Sequence, residues 1–145
     1  MTQITPCLWI PVTPAEAVAY YQTIFSRVDA SGLGPMTGTV TIEGQRFLLL
    51  NGGPMYKFNE AVSFVIKCRD QAEVDHYWTK LTADGGAESQ CGWCKDKLGL
   101  SWQVIPDALM ELIGHADRTK ADRAMQAMLK MQKIVIADLE SAFHG

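Results

Sequence analysis

Four cysteines, three histidines and a few polar residues set in apolar strands are the side chains of this chain with chemistry to offer. Cys91 and Cys94 form a C-x-x-C, a spacing used by dithiol redox couples and, when doubled, by structural zinc sites. A zinc ribbon needs a second close pair, and Cys7 and Cys68 stand alone. A redox pair belongs at a helix N-terminus, where the dipole favours the thiolate. This motif is expected to end a strand and enter a turn, so reduced structural cysteines are the reading that follows. His76 falls on an expected helix, His115 follows a short one, and His144 is penultimate. No two have the close spacing of a local metal motif, which leaves surface or capping roles. Gly99-Leu100-Ser101-Trp102-Gln103 lacks the second glycine of a nucleophile elbow, so Ser101 reads as an ordinary strand residue. Asn51-Gly52-Gly53-Pro54 joins two strands rather than a strand to a helix. It therefore does not form the glycine turn that holds dinucleotide phosphates, and its proline removes one amide such a loop would use.

Composition narrows the setting. With 145 residues, 48% hydrophobic and 20% charged, the chain fits a globular protein with one substantial core. A net charge of −3 and scattered Lys and Arg give no basic field for phosphate backbones. No apolar run approaches the roughly 18–20 residues that span a bilayer, and a secretory leader is not expected. The expectations are no nucleic-acid partner, no membrane, and a cytoplasmic setting in which thiols stay reduced.

The elements that must position these residues come twice. Ile4 to Pro11 reads as a strand, and Thr13-Pro14-Ala15-Glu16 as a capped helix start carrying Ala17, Tyr21, Ile24 and Phe25 on one face. Thr37 to Glu43 and Arg46 to Asn51 read as strands around a turn at Gly44. After Asn51-Gly52-Gly53-Pro54, the programme restarts with a strand from Ala61 to Cys68 and a helix opened by Asp70-Gln71-Ala72-Glu73. Ala15-Glu16 superposes on Ala72-Glu73, Tyr20 on Tyr77, Tyr21 on Trp78 and Ile24 on Leu81. Helix two is expected to end on a left-handed glycine near Asp84-Gly85-Gly86. A hairpin follows, from Glu88 to Trp93 and from Leu100 to Pro106. Past Pro106, Asp107 is expected to cap a helix to Ile113, Thr119 to Met131 to form a longer one, and Ile134 to Phe143 a last apolar segment. Ser101, Gln103 and Ile105 share one strand face, and Trp102 and Val104 the other. Trp9, Trp93 and Trp102 are expected in the core.

The strings Leu50-Asn51-Gly52-Gly53-Pro54, Phe58-Asn59-Glu60-Ala61-Val62-Ser63-Phe64, Glu73-Val74-Asp75 and Gly99-Leu100-Ser101-Trp102-Gln103-Val104-Ile105-Pro106 resemble the PhnB-like branch of the vicinal oxygen chelate superfamily. That branch is also labelled 3-demethylubiquinone-9 3-methyltransferase-like. Met131-Gln132-Lys133 and Ile136-Ala137-Asp138-Leu139-Glu140 are similar to its carboxyl-terminal tail. The resemblance implies an α+β fold of two β-α-β-β-β modules forming a curved mixed sheet around a cavity, with extra C-terminal helices. It implies one domain over 1–145: module one about 1–54, module two about 55–106, and a helical extension over about 107–145. It also implies a homodimer, commonly with modules paired across the subunit boundary.

Metal-using members of the superfamily place ligands on the first and last strands of each module. By the resemblance these positions fall near Pro6 and Ser63, and near Leu49 or Asn51 and at Gln103. None is His, Asp or Glu, so neither a metal nor another cofactor is expected. Asn51, Ser63 and Gln103 become candidate ligand-binding residues, with Lys67 at the rim, although such polar groups can equally satisfy one another. Catalytic residues are not assigned. Three functions stay open. The first is a metal-free binder of a small organic molecule. The second is an enzyme on small oxygenated or aromatic substrates with a non-standard metal or cofactor. The third is a dimeric structural or regulatory module with a vestigial cavity.

Overall fold

The computed structural model describes residues 1–145, which divide into two compact units, Met1–Phe58 and Asn59–Gly145. In the first, β1 (Cys7–Ile10) leads into α1 (Pro14–Gln22), followed by β2 (Val28–Ser31), β3 (Thr37–Ile42) and β4 (Gln45–Asn51). Thr13 Oγ1 accepts the Glu16 amide at 3.2 Å while Pro14 opens the first turn, so the helix starts where the local chemistry dictates. Glu43 and Gly44, at φ 47° and 85°, make the two-residue turn that matches strand twist in a hairpin. The strand order is β1-β4-β3-β2, with β1 parallel to β4 and the other pairs antiparallel. Val40, Ile42, Phe47 and Leu49 are buried on the face shared with Ala17, Val18 and Tyr21, while Leu48, pointing the other way, is 39% exposed. Ile24 and Phe25 lie past the last turn of α1 yet remain buried. The mostly exposed edge strand β2 carries no apolar alternation, which is why sequence reading does not separate it.

The second unit repeats the plan with β5 (Ser63–Cys68), α2 (Gln71–Thr82), β6 (Ala87–Glu88), β7 (Trp93–Lys95) and β8 (Ser101–Pro106). Its order, β5-β8-β7-β6, with β5 parallel to β8, is that of the first sheet. Asp70 Oδ1 accepts the Glu73 amide at 2.9 Å as the cap of α2. Val74, Trp78 and Leu81 of α2 are buried, as are Cys68, Cys94, Trp102 and Val104 of the sheet. Three helices follow: α3 (Asp107–Ile113), α4 (Arg118–Met128) and α5 (Ile136–His144). Leu109, Ile134 and Leu139 pack on Ile105.

Several boundaries differ from the sequence expectation. Helix α2 ends in an extended Ala83, and Asp84 (φ 52°) precedes Gly85 (φ 105°) in the left-handed region. Residues 89–92 are not strand. They turn, with Ser89 N donating to Trp93 O and Trp93 N to Gln90 O. A Cβ on Gly92 would fall 2.9 Å from Ile105 Cδ1, and its φ is 85°, so a side chain there meets both strain and a clash. Cys91 therefore lies in the turn and Cys94 within β7, the reverse of the expected placement. Asp107 is the first helical residue, with Pro106 at the cap position. Helix α4 starts from Asp117, whose Oδ1 accepts the Lys120 amide at 3.2 Å. It stops at Met128 because the next residues leave the helix. The carbonyls of Met131 and Gln132 accept the Cys91 and Gly92 amides.

The tail is fastened to α2. Gln71 donates to Ile134 O at 3.0 Å and accepts from the Ile136 amide at 2.8 Å, and Lys133 pairs with Asp75 at 2.8 Å. No helix is long and apolar enough to cross a membrane.

One carboxylate organises the β7–β8 turn. Asp96, buried, accepts the amides of Leu98 (2.8 Å) and Leu100 (3.1 Å) and the Trp102 indole N–H (2.9 Å). Replacing it with Ala would strand these donors, one of them a buried indole. Asp96→Ala is predicted to lower the unfolding free energy by about 3 kcal/mol, read by urea denaturation. A loss below about 1 kcal/mol, the value of an ordinary hydrogen bond, would show that the turn does not depend on it.

Candidate functional site

Helix α2 covers one face of the second sheet, and the residues on the other face build a cavity. Parallel pairing sets Val65 beside Gln103 and Lys67 beside Ile105, while antiparallel pairing sets Trp93 on the other side of Gln103. These five side chains form the sheet wall of a cavity of about 830 Å³. Cys91 joins them from its turn, and Asp107, Leu109, Met110, Glu111 and Ile113 of α3 with Met128 of α4 form the opposite side. The lining is mostly apolar, with charge confined to Lys67, Asp107 and Glu111.

Two of the three candidate ligand residues meet. Gln103 Nε2 donates to Ser63 Oγ at 2.9 Å, and Gln103 lines the cavity. Asn51 belongs to the first unit, where its amide donates to Pro35 O at 3.4 Å. It shares the alternation of Phe47 and Leu49, the buried side of β4. Ser101, read as unremarkable, is buried with a hydroxyl that has no hydrogen-bond partner. Trp93 is half-buried and lines the cavity rather than joining the core, whereas Trp102 is 4% exposed. Trp9 is also half-buried; its indole N–H donates to Gly53 O at 2.9 Å and its ring fills the space a Cβ on Gly52 would need. The α3 and α4 lining, Asp107 and Glu111 above all, was not singled out in the sequence. Their four-residue spacing on one short helix was the available signal.

The first- and last-strand positions do not fit a divalent ion. Gln103 and Ser63 spend hydrogen-bonding capacity on each other, and Leu49 is buried with an aliphatic side chain. No group of three or more His, Cys, Asp or Glu residues comes together to hold a metal. The histidines remain apart: His76 packs edge-on to Tyr77, His115 Nδ1 accepts the Asp117 amide at 3.0 Å, and His144 ends α5 beside Phe143.

The C-x-x-C does not open a helix: Cys91 lies in a turn and Cys94 within β7. Burial, reinforced by the charges of Asp96 and Glu88, pushes the Cys94 thiol up to about 12. Burial with Glu73, Asp107 and Asp70 nearby does the same to Cys68, also to about 12.

Fold and sequence together define the class. The chain has the duplicated fold of the vicinal oxygen chelate superfamily. It belongs to the 3-demethylubiquinone-9 3-methyltransferase family, in its PhnB-like branch, whose profile matches residues 2–105. The PhnB protein from Bacillus cereus shares 25% identity at a TM-score of 0.62, with 72% of this chain and 99% of that one covered. A glyoxalase-related enzyme from Fulvimarina pelagi matches at 14% identity and a TM-score of 0.52, covering 75% of this chain and 91% of that one. The fosfomycin resistance protein FosX from Listeria monocytogenes, complexed with Mn(II) and sulfate, matches at 14% identity and a TM-score of 0.52 over 70% and 87%. A search of curated proteins finds no match.

Thiol chemistry gives a direct check. At pH 8 a thiol with a pKa near 12 is ionised in only about one molecule in ten thousand. Iodoacetamide is therefore predicted to modify exposed Cys7 in the native protein and to spare Cys68 and Cys94 until it unfolds, as read by mass spectrometry. Because both folded values lie above the ordinary 9.0, the native state holds its thiol protons longer than the unfolded chain. Their contribution to stability is complete below pH 9 and is lost as pH climbs toward 12. Labelling of Cys94 at the rate of Cys7 would contradict this burial.

Proposed function

We propose that this protein binds a small organic molecule in the cavity of its second unit, and that it does so without a metal ion. The observation that carries the reading is the lining itself. Mostly apolar residues, with Lys67, Asp107 and Glu111 among them, surround one neutral amide, Gln103, which Ser63 holds in place. Its volume of about 830 Å³ falls within the range of small-molecule sites, in which a few fixed polar groups orient a ligand against apolar walls. FosX is complexed with Mn(II); here the corresponding strand positions carry neutral or aliphatic side chains, and the metal-free reading rests on those residue types. Catalysis is no part of the proposal.

The same reading includes a homodimer. In each unit the first strand, β1 or β5, ends the sheet with an unpaired edge, and Leu48 presents apolar surface beside that of the first unit. Open edges and apolar strand faces are features proteins cover by association. A cytoplasmic setting suits the four free thiols.

Thermal denaturation against a panel of small aromatic and oxygenated metabolites tests the binding, since a ligand selective for the folded state raises its melting temperature. At least one compound is predicted to raise it, and Trp93→Ala is predicted to abolish that rise. A panel without any shift would overturn the binder. Stoichiometric Zn, Ni, Mn or Fe surviving dialysis would overturn the metal-free reading. Sedimentation as a particle of twice the chain mass is predicted, and a monomer at micromolar concentration would refute the dimer.

A further inference from the structure

We propose that the ion pair between Glu60 and Lys95 is a strap laid across the start of β8, and that its release lengthens the cavity by one more row of the sheet. The proposal rests on the cavity being a small-molecule site and adds a way for its wall to change. It starts from strand register. Val65, Gln103 and Trp93 stand side by side on β5, β8 and β7, and all three line the cavity. The next row toward the start of β8 is Ser63, Ser101 and Lys95, on the same face by strand alternation. None of these three lines the cavity.

The middle of that row is closed. Ser101 is 1% exposed, although neither neighbour in the row is buried and α2 covers the opposite face. Its hydroxyl has no hydrogen-bond partner, a state that costs stability. The Glu60–Lys95 pair explains the closure. Lys95 belongs to β7 and Glu60 precedes β5, with β8 between those strands. Side chains that meet from the two sides must pass over the first residues of β8, where Ser101 stands. Both partners keep much of their side-chain surface in solvent, 37% for Lys95 and 60% for Glu60. Such a pair is held weakly and is screened by salt, which suits a strap that opens. Behind it, Ser101 has a hydroxyl proton without an acceptor, and Ser63, whose oxygen accepts from Gln103, keeps its own to give. Release therefore adds two hydroxyl donors next to Gln103, the chemistry for a carbonyl or hydroxyl oxygen of the bound molecule.

Thiol labelling in the absence of any bound molecule tests it. Ser101→Cys, a change of one atom, places a probe behind the strap. Iodoacetamide labelling is then read peptide by peptide, with buried Cys68 of the same molecules as the gauge of global unfolding. Adding Glu60→Gln, or separately Lys95→Gln, is predicted to speed labelling of the introduced thiol about three- to fivefold, the range that loss of a largely exposed ion pair supplies. Cys68 is predicted to stay unlabelled throughout. Raising NaCl to about 0.5 M, where exposed charges are strongly screened, is predicted to speed labelling of Ser101→Cys alone and to change nothing once Glu60→Gln has removed the pair. Equal rates with and without the pair would overturn the strap, since something else then covers Ser101. Labelling of Cys68 in step with the introduced thiol would overturn it as well, because the exposure would come from unfolding. So would a salt effect that persists without Glu60. None of these outcomes bears on whether the cavity binds a small molecule, which the metabolite panel decides separately.

Discussion

A four-stranded sheet has two faces, and one helix can bury only one of them. Each half of this protein obeys that limit: α1 covers one side of the first sheet and α2 one side of the second. What happens to the other face sets the character of each unit. In the first, Leu48 is left substantially exposed on it. In the second, the chain continues, and three further helices fasten themselves near Ile105 at the end of β8. Because α3 stands against this face without filling it, a cavity remains between sheet and helix.

Specific hydrogen bonds hold that arrangement, and apolar contact completes it. Gln71, on a helix covering the opposite face, reaches the tail with both ends of its amide. The Cys91–Gly92 turn docks on Met131 and Gln132 through backbone bonds. The cavity's lining is thus tied to both sides of the sheet, so its geometry is set by α2 as much as by the residues in view of a ligand. Asp96 plays the matching part at the other end of β8, where its carboxylate gathers three N–H groups around the turn into that strand.

Sequence reading recovered what periodicity and capping chemistry encode. Both helix starts, the β3–β4 hairpin and the duplication follow from Thr13, Asp70, Gly44 and the strand alternation, all of which act locally. Ser63 and Gln103 could be paired because a parallel first and last strand places them side by side. The misreadings share a cause, which is tertiary satisfaction of backbone groups. Residues 89–92 look like a continuation of strand, yet the amides of Cys91 and Gly92 are claimed by Met131 and Gln132 from forty residues downstream. Asp107 has the side chain of a cap, but Pro106 occupies the cap position because β8 runs directly into α3. Asn51, which the resemblance grouped with Ser63 and Gln103, is not among these misreadings; it lies on β4 of the first unit, in the alternation class of Leu49. The cavity's acidic wall escaped notice because a seven-residue helix gives too short a pattern to show which face turns inward.

The account's central claim is that the open face of the second sheet receives a small molecule beside Gln103. The indole N–H of Trp93 reports on that point alone, since those of Trp78 and Trp102 are held by Glu88 and Asp96. Two-dimensional NMR of the four indole signals during titration with the metabolite that gives the largest thermal shift is the most direct measurement. The prediction is a saturable shift of the Trp93 signal while those of Trp78 and Trp102 stay fixed. A Trp93 signal that does not move at a saturating concentration of that compound would contradict it.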